Sequence, residues 1–466
     1  MKHSPVQFRF LLVFLLLAGV AAVLWAVGHY TGAPISPRLL LACRWLAVLA
    51  FCGYSYSRRS LTVWIVAGIL VGAEFGHDWP TTAASMQVLS IIFLRLIKTI
   101  IAPLIFSTLV VGIAGHSNLK QVGRMGIKAL IYFEVVTTIA LFIGLAAINI
   151  SKAGVGVTPP ASAVTPQIQA PKQTTSDLIQ HVFPENIAKS VSEGQVLQVV
   201  VFSIIFGIAL AMVEEKKRRP MLEFCESLSE TMFKFTNIVM LFAPIGVAGA
   251  IAYTIGTMGF GVIKNLLTLV ATLYAALVVF VLCVFLPVAL IARLPLKRFL
   301  KAIAEPASIA FATASSEAAL PRAMEAMEAF GVPRQMVAFV MPTGYSFNLD
   351  GSTLYLSLAS IFIAQAAGIH LTFGQQLLMV FTLMLTSKGV AGVPRATLVI
   401  LLGTVDSFHL PAWPIFIILG VDQLMDMART AINVVGNCLA TGVIARWEGE
   451  FETEAPSPAV VDAMAQ

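Results

Sequence analysis

Residues 386–397 have the sequence TSKGVAGVPRAT and interrupt an otherwise apolar segment that extends over residues 374–405. Glycine and proline at this density break a helix, and the break leaves backbone amides and carbonyls without partners. Such groups are costly in lipid, so they must be buried in protein. The stretch therefore predicts a re-entrant hairpin, in which two half-helices meet at a buried tip of small residues.

A second broken segment, residues 305–332, contains FATASSEAALP at residues 311–321. Each broken segment is followed by a long helix that carries polar residues at the depth of the membrane. The first hairpin follows a cytoplasmic connection and the second an external one, so the two hairpin–helix units form an inverted repeat. In secondary transporters, matched broken segments of this kind mark the substrate site.

The composition places these segments in a membrane. Of the 466 residues, 58% are hydrophobic and 12% are charged, against about 25% charged in soluble domains. This excludes ordinary soluble enzymes, disordered proteins and nucleic-acid binders, and it predicts an all-α polytopic membrane protein. The five cysteines form no metal-binding or disulfide pattern, so we expect no cofactor.

Apolar runs of helix length alternate with basic connections. The ten runs lie near residues 9–29, 38–56, 60–77, 86–114, 129–151, 195–213, 226–254, 264–292, 335–366 and 411–446. Basic residues cluster at every second connection; for example, Arg58 and Arg59 follow the second run. Because lysine and arginine concentrate on the cytoplasmic side of membrane proteins, we expect both termini to be cytoplasmic.

Two further segments have the composition of unstructured chain. Residues 152–193 form the longest external connection, and its first part is rich in proline, threonine, alanine and glutamine. Such a stretch cannot build a core and is typical of a flexible loop. Residues 449–466 are acidic and then rich in proline and alanine, which predicts a disordered cytoplasmic tail.

The last apolar run carries the densest set of polar residues. On one helix face lie Asp422, Asp426, Arg429, Thr430, Asn433 and Asn437. Ionisable residues at membrane depth are expensive, so this face must meet protein or water. One interpretation is an internal salt-bridge ladder that locks helices together. The other is a ligand site in which Arg429 binds a carboxylate and Asp426 binds an ammonium group, the two groups of an amino acid.

The preceding long helix contains PTGYSFNLDGSTLY at residues 342–355. Its proline and glycines loosen the helix at mid-membrane and free carbonyl oxygens around Asn348 and Asp350. Sodium, like other hard cations, binds carbonyl, amide and carboxylate oxygens, so this stretch is a candidate cation site. A simple proline–glycine kink is the alternative, although it leaves the carboxylate of Asp350 unexplained.

The two predicted hairpin tips carry further candidate ligands. Ser315 and Ser316 lie in the first tip, and residues 387–394 form the second. The free amides at the start of a half-helix attract anions. Serines and glycines also permit close helix packing, and the two roles are compatible.

These motifs resemble those of the dicarboxylate/amino acid:cation symporters, the glutamate transporter family. FATASSEAALP is similar to the family's first hairpin tip, NLDGS to its NMDG-type motif, SKGVAGVP to its second tip and DMARTAINVVGN to its last-helix motif. The resemblance extends over residues 60–450 and is closest to the bacterial proton/glutamate-aspartate symporters. It implies a glutamate-transporter-like fold with two re-entrant hairpins and inverted repeats, preceded by two extra N-terminal helices.

The resemblance also implies how the chain is divided. Residues 1–57 form the extension with the two extra helices, and residues 58–300 form mainly the scaffold and trimer contacts, with residues 86–151 partly in the transport domain. Residues 301–448 form the core of the transport domain. The implied assembly is a homotrimer in the lipid bilayer of the bacterial inner membrane, with transport domains that move like elevators. No nucleic-acid partner is expected.

The family pattern implies roles for single residues. For an acidic amino acid, Arg429 binds the side-chain carboxylate and Asp426 the amino group. The other implied substrate ligands are Ser315, Ser316, Ser352, Val393, Thr430 and Asn433. The implied cation ligands are Thr137, Thr138, Gly344, Ser346, Asn348, Asp350, Ser387, Lys388, Val390, Asn433 and Asn437, among which Asn348, Asp350 and Asn433 are the implied sodium ligands.

Three departures from the family pattern concern the coupling cation. Asn437 stands where sodium-coupled relatives carry an aspartate, which weakens one sodium site, and Phe133 replaces a tyrosine at another. Glu134 adds a carboxylate next to Thr137 and Thr138. Apolar surroundings disfavour an ionised carboxylate, so Glu134 is a candidate proton carrier or, alternatively, a structural hydrogen-bond acceptor. The departures favour proton coupling.

Three other functions are open alternatives. A C4-dicarboxylate has no ammonium group for Asp426, and the dicarboxylate-carrying relatives have a neutral residue there, so Asp426 and Thr430 favour aspartate or glutamate. An intramembrane hydrolase based on Ser315 or Ser316 has only Lys388 as a conceivable base, so we expect no enzyme. A dedicated channel requires rings or repeated filter loops, which the sequence does not show.

Overall fold

The computed structural model describes residues 5–114, 121–157, 159, 183–193, 196–387, 396–408 and 410–451. All regular elements in these residues are helices, which confirms the all-α prediction for the described part of the chain. In chain order the helices are α1 (Pro5–Thr31), α2 (Pro37–Arg58), α3 (Leu61–Asp78), α4 (Pro80–Ser85), α5 (Gln87–Ala114), α6 (Gln121–Ser151), α7 (Ile187–Ser192), α8 (Val196–Ala211), α9 (Glu215–Met240), α10 (Ala243–Met258), α11 (Gly261–Phe280), α12 (Leu286–Ile291), α13 (Leu296–Thr313), α14 (Ser316–Phe330), α15 (Arg334–Phe347), α16 (Asp350–Ala366), α17 (Phe373–Thr386), α18 (Ala396–Ser407) and α19 (Trp413–Glu448). A π-helical turn, Val281–Phe285, joins α11 to α12.

Seven helices of the described chain are long and apolar enough to cross a bilayer, or eight if α9 and α10 together form one span. The multi-pass prediction is therefore confirmed. The sequence also predicts one helix over residues 226–254, and this prediction is wrong, because α9 and α10 meet at a bend of 48° after Met240. Pro244 has no amide hydrogen, and its ring collides with the carbonyl of residue 240 in a continuous helix, so the helix ends there.

The first broken segment consists of α13 and α14, which pack against each other and are joined by Ala314 and Ser315. Ala314 has a φ of 50°, in the left-handed region that costs a non-glycine residue about 1–2 kcal/mol. Ser315 caps α14, because its hydroxyl oxygen accepts a hydrogen bond from the amide of Ala318 at 3.3 Å. The break lies where the sequence predicts it. The tip between α17 and α18 lies outside the described residues.

Helices α16 and α19 form the centre of the bundle. Every residue of α16 except Gln365 is buried, and α19 packs against α10, α11, α13, α14, α15 and α16. The chain breaks between α15 and α16 at Asn348 and Leu349, as the proline and glycines of that stretch predict. The surrounding apolar helices separate the polar side chains of α16 and α19 from the outer surface.

The two helices at the N-terminus attach to the rest of the bundle through α3. Helix α1 packs on α2, and α2 packs on α3. Arg44 of α2 pairs with Glu74 at 3.3 Å and also with Asp78. The indole N–H of Trp45 donates a hydrogen bond to Asp78 at 2.8 Å. Bonds to ionised groups are stronger than neutral ones, so this cluster fixes α2 to α3.

Parts of the predicted loop and tail are structured. Helix α7, capped by Asn186, lies in the external connection, while residues 160–182 lie outside the described residues. Beyond α19, Phe451 is buried, with its ring 5.1 Å from that of Phe330 and 4.2 Å from the Arg446 guanidinium. The packed chain thus continues to residue 451, beyond the predicted start of the tail at residue 449.

A row of glycines brings α3 and α10 into backbone contact. Gly68, Gly72 and Gly76 follow one another at intervals of one helical turn and face backbone carbonyls of α10. A side chain at Gly72 would collide with the carbonyl oxygen of Ala248. Small residues at this spacing let membrane helices approach closely, so the contact depends on the absence of side chains.

Replacing Gly72 with leucine should force α3 and α10 apart and lower the melting temperature of the purified protein, since overpacking costs about 1–3 kcal/mol. Gly19→Leu in α1 is the matched control, because a side chain there meets nothing within 4 Å. Thermal unfolding in detergent measures both variants. Equal melting temperatures would show that the contact between α3 and α10 tolerates a side chain.

Candidate functional site

A buried arginine lies in the middle of α19. The Arg429 guanidinium has no exposed surface, and it donates from Nη1 to Asp422 at 3.0 Å and from Nε to Asp426 at 2.9 Å. The three residues share one helix face, as their spacing predicts. The guanidinium also lies 4.1 Å from the centroid of the Tyr355 ring, a cation–π contact with α16. A group that can bind a carboxylate and a group that can bind an ammonium are therefore side by side.

Both ion pairs of Arg429 are internal to α19. A ladder that locks helices together needs ion pairs between helices, so these two pairs do not favour that interpretation. The cluster reaches α16 through the Tyr355 hydroxyl, which donates to Asp422 at 3.2 Å. Nη2 of Arg429 is buried and has no hydrogen-bond partner among the described residues. An unpaired buried donor is costly, and it is available to an acceptor that enters the site.

Asn433 holds the start of α16 against α19. Its Oδ1 accepts hydrogen bonds from the amides of Gly351 at 2.8 Å and Ser352 at 3.2 Å, and its Nδ2 donates to the Ser352 hydroxyl at 2.9 Å. The first amides of a helix have no partner within the helix, so this side chain acts as a cap from a neighbouring helix. Any side chain at position 351 would collide with the backbone of Arg429, which explains the glycine there.

A second polar cluster lies where α15 ends. Nδ2 of Asn348 donates to Oδ1 of Asn437 at 3.2 Å, and both residues are buried. Oδ1 of Asn348 is buried without a hydrogen-bond partner among the described residues. Asp350 begins α16 and is fully buried, and Gly344 lies directly against Asn437. Two amide oxygens and a carboxylate in one dry region suit a hard cation.

Helix α6 places its predicted cation ligands on two adjacent faces. Thr137 is buried, and its hydroxyl donates to the carbonyl of Phe133 at 2.6 Å. The Phe133 ring lies near Gly344, so this face of α6 borders the cluster around Asn437. Glu134 and Thr138 are half-buried and lie one turn apart on the neighbouring face. Their part in cation binding stays a prediction.

The other predicted residues lie at the ends of helices or beside the arginine cluster. Ser316 is buried at the start of α14, next to the capping Ser315. Ser387 is buried where α17 ends, and the Thr430 hydroxyl donates to Asp426 at 3.4 Å. Ser346 lies within α15. Outside the described residues lie Lys388, Val390 and Val393.

Two members of the arginine cluster are missing from the predicted ligands. Asp422 belongs to the polar stripe of α19, and its spacing of two turns from Arg429 is the signal that identifies it as a partner. Tyr355 closes the PTGYSFNLDGSTLY stretch. No local signal reveals its role, since its ring reaches Arg429 only through the packing of α16 on α19.

Broken helices and buried charges within a bundle of apolar, membrane-length helices are typical of one class of protein, the secondary transporters. The profile of the sodium:dicarboxylate symporter family matches residues 61–447, and the chain belongs to this family. The resemblance inferred from the motifs is thereby confirmed. Helices α1 and α2 precede the matched region.

Individual relatives of two kinds are similar to the chain. It is 42% identical over 398 residues to the proton/sodium-glutamate symport protein of Bacillus caldotenax, which covers 84% of this chain and 94% of the relative. It is 42% identical over 402 residues to the proton/glutamate-aspartate symporter of Escherichia coli strain K12, with coverage of 83% and 92%. It is 43% identical over 399 residues to C4-dicarboxylate transport protein 2 of Mesorhizobium japonicum, with coverage of 84% and 90%. Sequence identity alone therefore does not decide between the glutamate symporters and the C4-dicarboxylate transport proteins.

Replacing Asn433 with alanine should lower the melting temperature, because the buried amides of Gly351 and Ser352 lose their acceptor at about 1–3 kcal/mol per group. Thr441→Val is the matched control in α19, since the Thr441 hydroxyl donates to a carbonyl of its own helix. Hydrogen exchange followed by mass spectrometry should be faster at the start of α16 in the Asn433 variant alone. Unchanged exchange there would contradict the capping role.

Proposed function

We propose that the protein is a secondary active symporter that takes up acidic amino acids, L-glutamate or L-aspartate, together with protons or sodium ions. The observation that carries the proposal is the buried contact of Arg429 with Asp426, which places a partner for a carboxylate beside a partner for an ammonium group. Relatives that are 42% identical and are named as glutamate or glutamate-aspartate symporters support the same substrate class.

The geometry supports an exchange of ionic partners on binding. A substrate carboxylate meets Nη2 of Arg429 and then displaces Asp426 from the guanidinium. The released carboxylate of Asp426 accepts the substrate ammonium, with Thr430 beside it. Each buried charge keeps an opposite charge before and after binding. The exchange therefore avoids the free-energy cost of an uncompensated buried ion, which is roughly several kcal/mol.

We place the main-chain carboxylate of the substrate between the two hairpin tips. Ser315 and Ser316 lie at the start of α14, where free amides attract an anion. The amide of Val393 is the proposed contribution of the second tip. Asn433 already holds Ser352, but its side-chain amide has a second hydrogen, which it can donate to the substrate without releasing α16.

Energetics call for more than one coupling cation. An acidic amino acid carries a net negative charge, and its entry into an inside-negative cell is opposed by roughly 2.3 kcal/mol per 100 mV. One cation cancels this cost, and two or more let the membrane potential drive accumulation.

The proposed cation ligands are Glu134, Thr137, Thr138, Gly344, Ser346, Asn348, Asp350, Ser387, Val390, Asn433 and Asn437. The neutral Asn437 and the added Glu134 favour protons.

We also propose the architecture that the family resemblance implies. The pairs α13–α14 and α17–α18 are re-entrant hairpins of an inverted repeat, supported by the sharp break at Ala314. Residues 58–300 supply mainly the scaffold of a homotrimer, and residues 301–448 supply the core of an elevator-type transport domain. Helices α1 and α2 are an addition to the scaffold, attached at α3. The alternating basic connections support cytoplasmic termini. The family resemblance implies the bacterial inner membrane.

A C4-dicarboxylate is the second candidate substrate, because a relative with that name is as similar as the glutamate symporters are. Such a substrate has no ammonium group. When it displaces Asp426 from Arg429, it leaves that carboxylate buried and facing the apolar middle of the substrate. The unfavourable position of Asp426 therefore discriminates against dicarboxylates.

Replacing Asp426 with serine should weaken the binding of L-aspartate by roughly thirtyfold or more, since losing one partner of a buried charge pair costs about 2–5 kcal/mol. Succinate is the internal control, because it has no ammonium group to lose a partner. Competition against labelled L-aspartate uptake in proteoliposomes measures both affinities. Equal losses for the two ligands would refute the role proposed for Asp426.

Uptake of L-aspartate should be driven by an imposed proton gradient without sodium, and less by a sodium gradient at constant pH. Glu134→Gln should reduce the proton-driven uptake, because the amide cannot take up a proton. Glu325→Gln is the matched control, since Glu325 is exposed and pairs with Arg322 on α14. Uptake that requires sodium alone would show that the neutral Asn437 leaves a functional sodium site.

A further inference from the structure

The π-helical turn between α11 and α12 changes which residues share a helix face. In an α-helix, residues five positions apart point about 140° away from each other. Phe280 and Phe285 are five positions apart, yet their ring centroids lie 4.8 Å apart in an edge-on arrangement. The wider π turn, Val281–Phe285, brings both rings to the same side. Such turns occur frequently at functional sites.

The Phe285 ring lies beside the second polar cluster, next to Asp350. Its tip, Cζ, lies 2.9 Å from where a Cβ on Gly436 would be, and that Cβ would also collide with Oδ2 of Asp350. The ring tip and the carboxylate oxygen therefore lie on the same side of Gly436, within about 5 Å of each other. Phe285 is 4% exposed and Asp350 is fully buried, so both groups are shielded from solvent. Gly436 is required there because any side chain would collide with both groups.

We propose that Phe285, directed by the π turn, is a positioning residue that closes the α12 side of the Asp350 carboxylate against water. The ring edge carries a partial positive charge, so it can face a carboxylate without an unfavourable contact. Charges attract more strongly where water is excluded, so the carboxylate binds its cation more tightly in the closed site. This inference rests on the proposed role of Asp350 in cation coupling.

Other helices place polar and charged groups around Asp350. On α6, the buried Tyr132 lies within electrostatic range of Asp350. On α19, Arg429 is directed towards Asp422 and Asp426, and Asn437 is bonded to Asn348. The π turn contributes apolar side chains and an exposed cysteine, so it brings a water barrier and no competing charge.

The test compares Phe285→Leu with the wild-type protein and with Phe299→Leu. Phe299 is the matched control, because its ring is 5% exposed and packs on another ring, that of Phe330 on α14, at 5.6 Å. The driving cation, sodium or proton, is titrated at saturating L-aspartate in proteoliposomes. Phe285→Leu should raise the half-saturating cation concentration about fivefold or more and leave the maximal rate unchanged, whereas Phe299→Leu should not change it.

A second pair of variants tests the contact itself. Gly436→Ala should also raise the half-saturating cation concentration, because the added methyl displaces the Asp350 carboxylate. Its effect should be smaller in the Phe285→Leu background than in the wild type, since the ring tip no longer limits the space. If Phe285→Leu does not fold, as judged by gel filtration and melting temperature, Phe285→Met, whose flexible side chain fills irregular gaps but has no ring edge, gives the cation readout.

The outcomes separate this inference from the proposed function. An unchanged half-saturating cation concentration in folded Phe285→Leu, with uptake still cation-dependent, overturns the inference alone. Where that variant does not fold, the same result in Phe285→Met does so. A loss of equal size in Phe299→Leu also overturns it, because the effect is then general packing. Wild-type uptake of L-aspartate without any cation dependence overturns the proposed coupling and this inference with it.

Discussion

The Arg429 guanidinium is a charge with no exposed surface, and its need for partners determines the arrangement around it. Removing such an ion from water costs several kcal/mol, roughly, unless nearby groups compensate. Asp422 and Asp426 compensate from the same helix, so α19 carries its own counter-charges. Replacing a buried ion pair with apolar residues often stabilises a protein, so this cluster is expensive as a purely structural device. The cost is explained if a bound ligand replaces one of these ion pairs with its own charged groups.

The break between α15 and α16 depends on the same face of α19. A helix that starts inside a protein exposes amides that water cannot reach, and Asn433 accepts two of them. The glycine at position 351 then lets the two backbones touch beside Arg429. One face of α19 thus holds the arginine, caps the neighbouring helix and, at Asn437, joins the second polar cluster through Asn348. The proposed substrate and cation sites share this helix face, so they are physically placed to influence each other.

Much of this arrangement was predictable because its causes are local. Prolines, glycines and serines break helices wherever they occur, so the breaks at Ala314 and at Asn348 follow from short stretches of sequence. The polar face of α19 follows from helical spacing alone. The bend before Pro244 is also local, but the continuous apolar run around it predicts a single helix, and hydrophobicity does not report backbone geometry. Phe451 shows the reverse case, because packing against Phe330 orders chain whose composition predicts a tail.

By itself, the sequence determined the class of fold, the membrane setting, the positions of two helix breaks and the residues that carry charge into the interior. These properties depend on side-chain chemistry and on periodicity along one chain. Only the tertiary structure decided that Tyr355 covers the guanidinium, that Asn433 caps α16, and that Phe285 and Asp350 both lie against Gly436. Each of these contacts joins different helices. The angle and distance at which two helices pack depend on all the neighbouring helices together. A local sequence pattern does not contain this information.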